Sequence, residues 1–361
     1  MVVMVGVDVH KDTHCAVAVD EVGRQLGSAR TFRTTDAGCL QLLRWAQQQA
    51  REHAGDGVAV MVAVEDCRHL TGRLERALLA AGTRVVRVPP KLMAGTRQSA
   101  RTRGKSDPID ALAIARAALR EPDLPVAEHS HASRTLKLLV DHREDLVNTR
   151  TRVQNRLRWH LHELDPGIDP KSRGLGQTSE LDRVEQRLRV LPDEAASATV
   201  RRIALELVGD VRALTVRIND LERELRVLVR QQAPQLLDLP GCGVLTAAKI
   251  VGETANPSRF RSEACFAMHS GVAPIPASSG RTDRYRLARG GNRQLNAALH
   301  RIAVTQTRLE GPGKIYYQHR LARNDSKMEA LRALKRRLAR VVFQRLKPTN
   351  QPAAAPLPQA A

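Results

Sequence analysis

Aromatic residues are scarce in this chain of 361 residues, making up 2% of it. Base-stacking side chains are therefore not expected to dominate recognition of a partner. The five cysteines are scattered and form no Cys-x-x-Cys pair, which argues against a zinc site and a disulfide framework. No apolar run reaches the about 18 residues of a membrane span. No charged segment followed by an apolar stretch and a cleavage site marks a secretory leader. We expect a cytoplasmic protein with no membrane partner.

Acidic residues are few relative to basic ones. The chain has 58 Lys and Arg against 38 Asp and Glu, giving a formal net charge of +20. Such a surface favours polyanions, and most of the basic residues are arginines, which suit bidentate phosphate contacts. A GC-rich genome would explain arginine over lysine, but not the excess over acids. Charge therefore predicts a nucleic-acid partner.

Four carboxylates stand out by their positions in the first 110 residues. They are Asp8, Glu65, Asp107 and Asp110. The first lies inside the apolar run VVMVGVDV, the second directly follows the run VAVMVAV, and the last two share one face of a predicted helix start. A carboxylate in an apolar strand is costly unless it is compensated. Oxygen ligands suit Mg²⁺, and two-metal sites drive phosphodiester displacement. The pattern predicts metal-dependent chemistry on nucleic acid.

The segment 1–125 is predicted to be α/β. Strands are expected at 2–9, 14–20, 25–32, 58–64 and 83–88, with helices at 35–54, 69–81 and from 107 onward. Ser106 is expected to cap the last helix, with Pro108 in its first turn. Three antiparallel strands followed by alternating helices and strands are the order of an RNase H-like (RuvC-like) fold.

The segment 126–235 is predicted to form long helices. Apolar residues recur at 3–4 spacing in two runs, which is typical of a coiled coil. Arg143 and Arg150 interrupt the first seam, whereas the second is cleaner. The two runs could fold back on each other as a hairpin or join another subunit. Either a spacer or a direct nucleic-acid contact is compatible with this pattern.

The segment 236–346 is predicted to be mainly α-helical. Its opening, LLDLPGCGVLTAAKIVGE, resembles a helix-hairpin-helix motif, in which Gly241 and Gly243 allow a tight turn whose N–H groups meet a phosphate. The alternative is a glycine-rich turn between helices. The tail 347–361 is of low complexity and is predicted to be disordered.

A polar, arginine-rich stretch at 273–292 contains Ser278 and Ser279 before a glycine. A serine in such a loop is usually a turn residue. The basic side chains predicted to contact nucleic acid are Arg281, Arg284, Arg286 and Arg289 here, and Lys335, Arg336 and Arg337 in the C-terminal helix. The four arginines of the stretch could stabilise charge on a reacting phosphate or simply contact the backbone.

Several motifs, taken in order, resemble those of the IS110-family transposases. They are VGVDVHKDTH, VAVED, RTRGKSDPIDALAIA, the stretch from LPGCG to PASSGR, and LARGGNRQLNAAL. The resemblance covers all but the tail and implies a RuvC-like DEDD domain followed by a C-terminal serine-bearing domain. It also implies a DNA transposase or recombinase of a mobile element, guided by a structured RNA.

Carried over to this sequence, the resemblance makes Asp8, Glu65, Asp107 and Asp110 the ligands of Mg²⁺, with two ions expected and Mn²⁺ as an alternative. It makes Ser279 the nucleophile, with Ser278 as the neighbouring competitor. Because Asp110 and Ser279 must converge from distant segments, a composite site in a homo-oligomer, a dimer or tetramer, is expected.

One departure from the family pattern follows Glu65. Many members carry Glu-Ala-Thr-Gly where this chain has Glu-Asp-Cys-Arg. Asp66 could add a charge near the metal or face solvent. We expect solvent, since neighbouring residues at a strand end point to opposite faces.

Two other functions compete with recombination through a serine. A RuvC-like Holliday-junction endonuclease would cut with metal-activated water and would be indifferent to Ser279. A catalytically silent nucleic-acid-binding scaffold would not need the carboxylates, and the complete set of four argues against it.

Overall fold

The computed structural model describes residues 2–66, 68–98, 106–121, 124–128, 131–170, 174–192, 195–277, 285–286, 288 and 290–347. Internal contacts divide the chain into two compact units. Unit 1 comprises Met1–Ser130 and Asn256–Cys265, and unit 2 comprises His131–Ala255 and Phe266–Ala361. Within the described ranges, no helix combines the length and apolarity that crossing a bilayer requires.

Unit 1 is built on a five-stranded mixed sheet with helices on both faces. Its elements are β1 (Val2–Val9), β2 (Thr13–Val19), β3 (Gln25–Arg33), α1 (Asp36–Ala54), β4 (Ala59–Glu65), α2 (Arg68–Ala80), β5 (Arg84–Val88), α3 (Pro90–Gln98) and α4 (Asp107–Arg120). The strand order is β3-β2-β1-β4-β5. The first three strands pair antiparallel, and β4 runs parallel to both β1 and β5. This sheet fits the predicted RNase H-like domain.

Strand β1 contributes side chains to two separate cores. Its valines at 3, 5, 7 and 9 pack with α1 and α2, whereas Met4 packs with Ala111, Ile114 and Ala115 of α4. Successive side chains of a strand alternate between faces. Asp8, two pleats beyond Met4, therefore belongs to the face that α4 covers.

Helix α3 was not predicted from the sequence. Its segment PKLMAGTRQ contains Gly95, which disfavours a helix interior, while Pro90 stands at the first position, where proline is tolerated. Leu92 and Met93 pack against the α4 core, so tertiary packing outweighs weak local propensity here.

A buried ion pair fixes β5 to α2. Arg87, 6% exposed, donates from Nε and one terminal nitrogen to Glu75, 1% exposed, at 2.8 and 2.6 Å. The Thr71 hydroxyl donates to the same carboxylate at 3.0 Å. Bidentate geometry and the extra hydrogen bond offset the cost of removing two charges from water.

Unit 2 is mostly helical. Its helices are α5 (His131–Leu164), α6 (Thr178–Val190), α7 (Ala195–Gln232), α8 (Pro234–Leu237), α9 (Val244–Thr254), α11 (Arg293–Gln306), α12 (Pro312–Ala322) and α13 (Lys327–Leu346). Helix α10 (Glu263–His269) spans the boundary between the two units, and β6 (Ile275–Pro276) and β7 (Tyr285–Arg286) form a small hairpin. Short 3₁₀ turns lie at Pro166–Ile168, Gly174–Gly176 and Pro257–Arg259. The C-terminal helix was predicted, and Ser326 closes its start with a capping box.

The two long helices α5 and α7 pack against each other antiparallel. Arg143 donates to Glu222 at 3.0 Å, and Arg150 donates to the Thr215 hydroxyl at 3.2 Å. Residue numbers therefore increase along α5 where they decrease along α7. The arginines that interrupt the first seam thus make polar contacts between the helices. Of the two alternatives, the hairpin within one chain is observed; a coiled-coil supercoil stays a prediction.

Helix α6 was not predicted, and its start follows a stretch with two prolines and three glycines at 166–176. Its buried side chains Leu181, Val184 and Leu188 join a core with residues of α5 and α7, Leu157 and Leu207 among them. The turn between the long helices therefore has a small hydrophobic core of its own.

A cluster of charges around the buried Lys249 joins α9 to α5. Lys249 is 1% exposed, and its ammonium donates to Asp141 at 2.8 Å and to Glu144 at 2.7 Å. Lys137 donates to Asp141 at 2.8 Å and also contacts Glu253. Burial raises the pKa of Asp141, but the hydrogen bonds from both lysines outweigh burial and hold this pKa below its usual value.

Replacing Arg87 with Met should destabilise unit 1 by about 3–5 kcal/mol, because the Glu75 charge would be left buried and unpaired. Urea unfolding measures the loss. Adding Glu75→Leu to Arg87→Met should recover most of it. Arg189→Ala, which removes an exposed pair with Glu185, is the control and should cost under about 1 kcal/mol. An equal cost for the two single variants would contradict a special role for the buried pair.

Candidate metal centre

Asp8 and Glu65 lie at the same edge of the sheet. The parallel register pairs Val7 of β1 with Val64 of β4, and each carboxylate is the next residue in its strand. Glu65 also pairs with Val88 of β5. Ala63 packs in the α4 core, so Glu65, two residues further, shares that face with Asp8. Both carboxylates thus sit on the α4 side of neighbouring strands.

Gly6 determines how closely α4 can approach β1. A Cβ on Gly6 would lie 2.0 Å from the Ala111 carbonyl oxygen and 2.6 Å from the Ala115 amide nitrogen. The backbones of strand and helix therefore touch at a position where no side chain fits. Glycine inside a strand typically marks such a close backbone approach. This contact brings the first turn of α4 beside Asp8.

The first turn of α4 carries Asp107 and Asp110. Ser106 is the N-cap residue, and its carbonyl accepts the Asp110 N–H at 3.0 Å. The predicted cap position and Pro108 in the first turn are both confirmed, although the Ser106 hydroxyl accepts no capping hydrogen bond. Asp110 is 8% exposed, while Asp107 is exposed.

His10 completes a cluster of three potential ligands. Its Nε2 lies 3.1 Å from an Asp8 oxygen and 3.4 Å from an Asp107 oxygen. One ligand atom from each of the three side chains lies within 4.8 Å of the others. Sequence reasoning missed His10, although its place two residues after Asp8 in VDVHKD was a usable signal.

The electrostatics of this cluster favour a cation. Burial raises the pKa of Asp8, the nearby His10 opposes this, and the charges of Asp110 and Asp107 raise it further. Burial also raises the pKa of the Cys15 thiol, paired with Asp8 across β1 and β2, to about 11, with Asp107 and Asp8 contributing. Clustered carboxylate oxygens with one imidazole are a donor set that fits a divalent metal.

Asp66 does not join this cluster. Its carboxylate lies 4.0 Å from the Nε of Arg87, which faces α2 on the opposite side of the sheet. Its side chain is 29% exposed. The expectation that Asp66 points away from the metal fits this geometry, although it interacts with Arg87 and does not face only solvent.

The predicted helix-hairpin-helix segment contains a tight turn between α8 and α9. Gly241 has φ +85°, and a Cβ there would lie 2.9 Å from Cβ of Thr305 and 3.1 Å from the Ile302 carbonyl of α11. Gly243 is the N-cap of α9, and a Cβ there would meet open space. Packing against α11 thus accounts for Gly241, while phosphate binding at either glycine stays a prediction.

The predicted nucleophile lies outside the described residues. Like it, four neighbouring residues fall outside the described ranges: Ser278, Arg281, Arg284 and Arg289. The flanking strands are described: β6 and β7 pair antiparallel, with Ile275 opposite Arg286 and Pro276 opposite Tyr285. Arg286 is exposed on β7.

The base of this hairpin is closed by two glycines and a buried lysine. A Cβ on Gly291 would lie 2.3 Å from Cα of Gly271, so the two backbones touch. Asn296 donates to the carbonyls of Ser270 and Gly271 at 3.0 and 2.9 Å, and Lys335 donates to Asn296 at 2.7 Å.

Lys335 is therefore turned inward at 7% exposure, and the prediction that it contacts nucleic acid does not fit this position. Arg336 is half-buried, whereas Arg337 is exposed and lies with its guanidinium 4.4 Å from the centre of the Tyr316 ring. Of the three basic residues predicted in this helix, Arg337 is the most accessible to a phosphate.

Known proteins match both parts of the chain. The DEDD transposase model of the IS110 type matches residues 5–166, which contain all four carboxylates. The model of the transposase IS116/IS110/IS902 family matches residues 233–318, which contain Ser279. Together the two matches cover well over half of the chain.

Relatives from insertion elements align over most of their length. The IS116 uncharacterized 44.8 kDa protein of Streptomyces clavuligerus is 27% identical, covering 96% of this chain and 94% of that protein. The IS900 uncharacterized 42 kDa protein of Mycobacterium paratuberculosis is 25% identical, covering 96% of each. The transposase for insertion sequence element IS1328 of Yersinia enterocolitica is 27% identical over 66% of this chain and 71% of that protein.

Fold, carboxylate cluster and matches define a transposase with a DEDD domain, a class that acts on DNA and uses a divalent metal. The chain belongs to the IS110 family of insertion-element transposases. The family resemblance drawn from the sequence motifs is confirmed.

Replacing Gly6 with Ala should push α4 away from β1 and separate its aspartates from Asp8. We expect a loss of about 1–3 kcal/mol in unfolding free energy and weaker Mn²⁺ binding, measured by urea unfolding and calorimetric titration. Gly209→Ala on α7, where a Cβ meets open space, is the matched control and should not destabilise. Unchanged Mn²⁺ affinity in Gly6→Ala would show that the close approach does not set the site.

Proposed function

We propose that this transposase cuts and rejoins DNA at a magnesium site formed by Asp8, Glu65, Asp107 and Asp110. The carrying observation is the convergence of Asp8, His10 and Asp107 within 4.8 Å, with Asp110 close enough to raise the Asp8 pKa. Two ions are expected, and Mn²⁺ is an alternative. When bound, they would supply Lewis acidity toward the scissile phosphate and lower the pKa of an attacking hydroxyl.

We further propose that Ser279 is the attacking group. Its Oγ would lose its proton and form a bond to the scissile phosphorus while the P–O3′ bond breaks, and the released 3′ oxygen would take up a proton, so the step is balanced. The resulting phosphoserine link conserves the energy of the phosphodiester, so a 3′-hydroxyl of another strand can attack it and release the serine. The β6–β7 hairpin, whose closed base brings Ile275 opposite Arg286, supports this role by presenting both ends of the serine segment together.

The exposed positive charge supports DNA and RNA as partners of this chain. Arg281, Arg284, Arg286 and Arg289 would stabilise the phosphate or hold the DNA backbone, together with Arg337 and Arg336. A structured guide RNA would supply sequence choice by base pairing, in keeping with a net charge of +20. A homo-oligomer, dimer or tetramer, would bring the carboxylates and Ser279 together. The reaction would take place in the cytoplasm.

The test for the serine is a denaturing-gel assay with Mg²⁺, element-end DNA and RNA transcribed from the flanking noncoding sequence. A protease-sensitive protein–DNA adduct is expected for the wild type and should disappear in Ser279→Ala, because no other oxygen would form the covalent link. Ser278→Ala is the matched control and should retain the adduct. Cleavage without an adduct, unaffected by Ser279→Ala, would instead establish the hydrolytic RuvC-like junction nuclease.

The metal site is tested separately from the reaction. Asp8→Asn should lower Mn²⁺ affinity by roughly tenfold or more in calorimetric titration, because a charged oxygen ligand is removed from the cluster. Asp66→Asn changes the neighbouring acid on the opposite face of the sheet and should leave the affinity unchanged. Equal effects of the two substitutions would indicate general electrostatics and contradict a specific site.

A further inference from the structure

Trp159 is a large apolar side chain that the fold leaves in solvent. It is 74% exposed, whereas Trp45, the other tryptophan of the chain, is 6% exposed in the unit 1 core. Leu157 and Leu161, two residues to either side on α5, are fully buried. Two residues correspond to about 200° around a helix, so Trp159 lies on the opposite, outer face. Internal packing therefore does not account for this tryptophan.

The helix surface around Trp159 is positively charged. From Arg150 to His162, α5 carries four arginines and no acidic residue. Two of them serve internal contacts, since Arg150 donates to Thr215 and Arg158 donates to Asp169 at 2.5 Å. The nearest acid along the helix, Glu163, follows Trp159 by about one turn, and its carboxylate lies 3.8 Å from His160.

The other two arginines share the outer face with Trp159. Arg156 and Arg152 are exposed and precede the tryptophan by about one and two helical turns. Neither makes an ion pair with any residue in the described ranges, and the Arg152 guanidinium donates only a neutral hydrogen bond, to the Thr149 hydroxyl. Two available guanidinium groups therefore line up beside an exposed indole.

We infer that Trp159, Arg156 and Arg152 form a docking surface for an unpaired nucleotide segment. An indole offers a flat surface on which one base can stack, and the arginines can pair with its flanking phosphates. The bases of a closed duplex present their edges and not their faces, so the occupant is single-stranded. A second copy of this chain would bring the same positive helix face and a net charge of +20, which disfavours it as the occupant.

The inference rests on the proposed function only in that the chain handles nucleic acid, and it involves none of the proposed catalytic residues. RNA and DNA share the recognised chemistry, an unpaired base with its phosphates. Separate oligonucleotides can therefore distinguish the two sources.

Tryptophan fluorescence reports directly on this surface. The full-length chain is titrated with a 12-nucleotide oligo(U), a 12-nucleotide oligo(dT) and a 12-base-pair duplex. Saturable quenching by at least one single strand is expected, because a stacked base quenches indole emission, whereas the duplex should quench little. Trp159→Phe should remove the quenching signal and leave the emission of buried Trp45, while retaining affinity within a few-fold in a gel-shift assay.

Affinity measurements on further variants separate stacking from charge. Trp159→Ala should weaken single-strand binding roughly tenfold or more. Arg156→Gln should reduce the salt dependence of single-strand binding by about 0.7 in the slope of log K against log salt. Leu138→Ala, which truncates another exposed apolar side chain of α5, is the matched control and should change neither quantity.

Three results would overturn the inference. Gel-shift binding of the single strands without tryptophan quenching would exclude stacking on Trp159. A fluorescence change that follows protein concentration without nucleic acid would identify a second copy of the chain as the occupant. Failure of the wild type to bind any oligonucleotide or element DNA would remove the proposed function as well, so the two failures are distinguishable.

Discussion

The contact between β1 and α4 at Gly6 is the constraint on which the candidate metal centre depends. A sheet of hydrophobic strands can hold Asp8 and Glu65 side by side, but two strands alone give only two carboxylates. The remaining two come from helix α4, which begins 42 residues after Glu65, and they reach the sheet because strand and helix backbones touch. Any side chain at position 6 would separate the backbone of β1 from the backbone of α4.

Elsewhere in the chain, two buried cations are paired with acids. In unit 1 the buried Arg87 pairs with the buried Glu75, and in unit 2 the buried Lys249 pairs with the partly exposed Asp141 and Glu144. A highly basic protein has more cations than internal acids can neutralise. These acids neutralise two buried cations, Arg87 and Lys249, that fix helices to neighbouring elements, and the surplus arginines remain at the surface for an external polyanion.

Much of unit 1 could be predicted from the sequence because most of its strands are apolar runs and several of its turns carry glycine. The four carboxylates could be found for the same reason, since an acid beside an apolar run is conspicuous. His10 and Gly6 were harder to find, because their roles depend on what packs against them and not on local pattern. Helices α3 and α6 were missed where proline and glycine masked segments that tertiary packing makes helical.

In unit 2 the sequence predicted long helices but not the partners of the polar residues on their apolar seams. Arg143 and Arg150 looked like defects in an apolar repeat, and their partners Glu222 and Thr215 lie about 70 residues away along the chain. Lys335 shows the converse error. A basic run predicts a phosphate contact for each member, but helix geometry turns some of them inward, and here one holds Asn296 at the base of a hairpin.

The antiparallel pairing of α5 and α7 restricts the insertions that these two helices can accept in related proteins. At about 1.5 Å per residue, the 34 residues of α5 extend over about 50 Å, comparable to about fifteen base pairs of B-form duplex. Adding one residue to a helix rotates everything beyond it by about 100°, so a single insertion would move Trp159 off its face and break the register with α7. Insertions of about seven residues, matched in both helices, nearly restore the rotation. The α5–α7 pair should therefore differ in length among relatives in steps of about two helical turns.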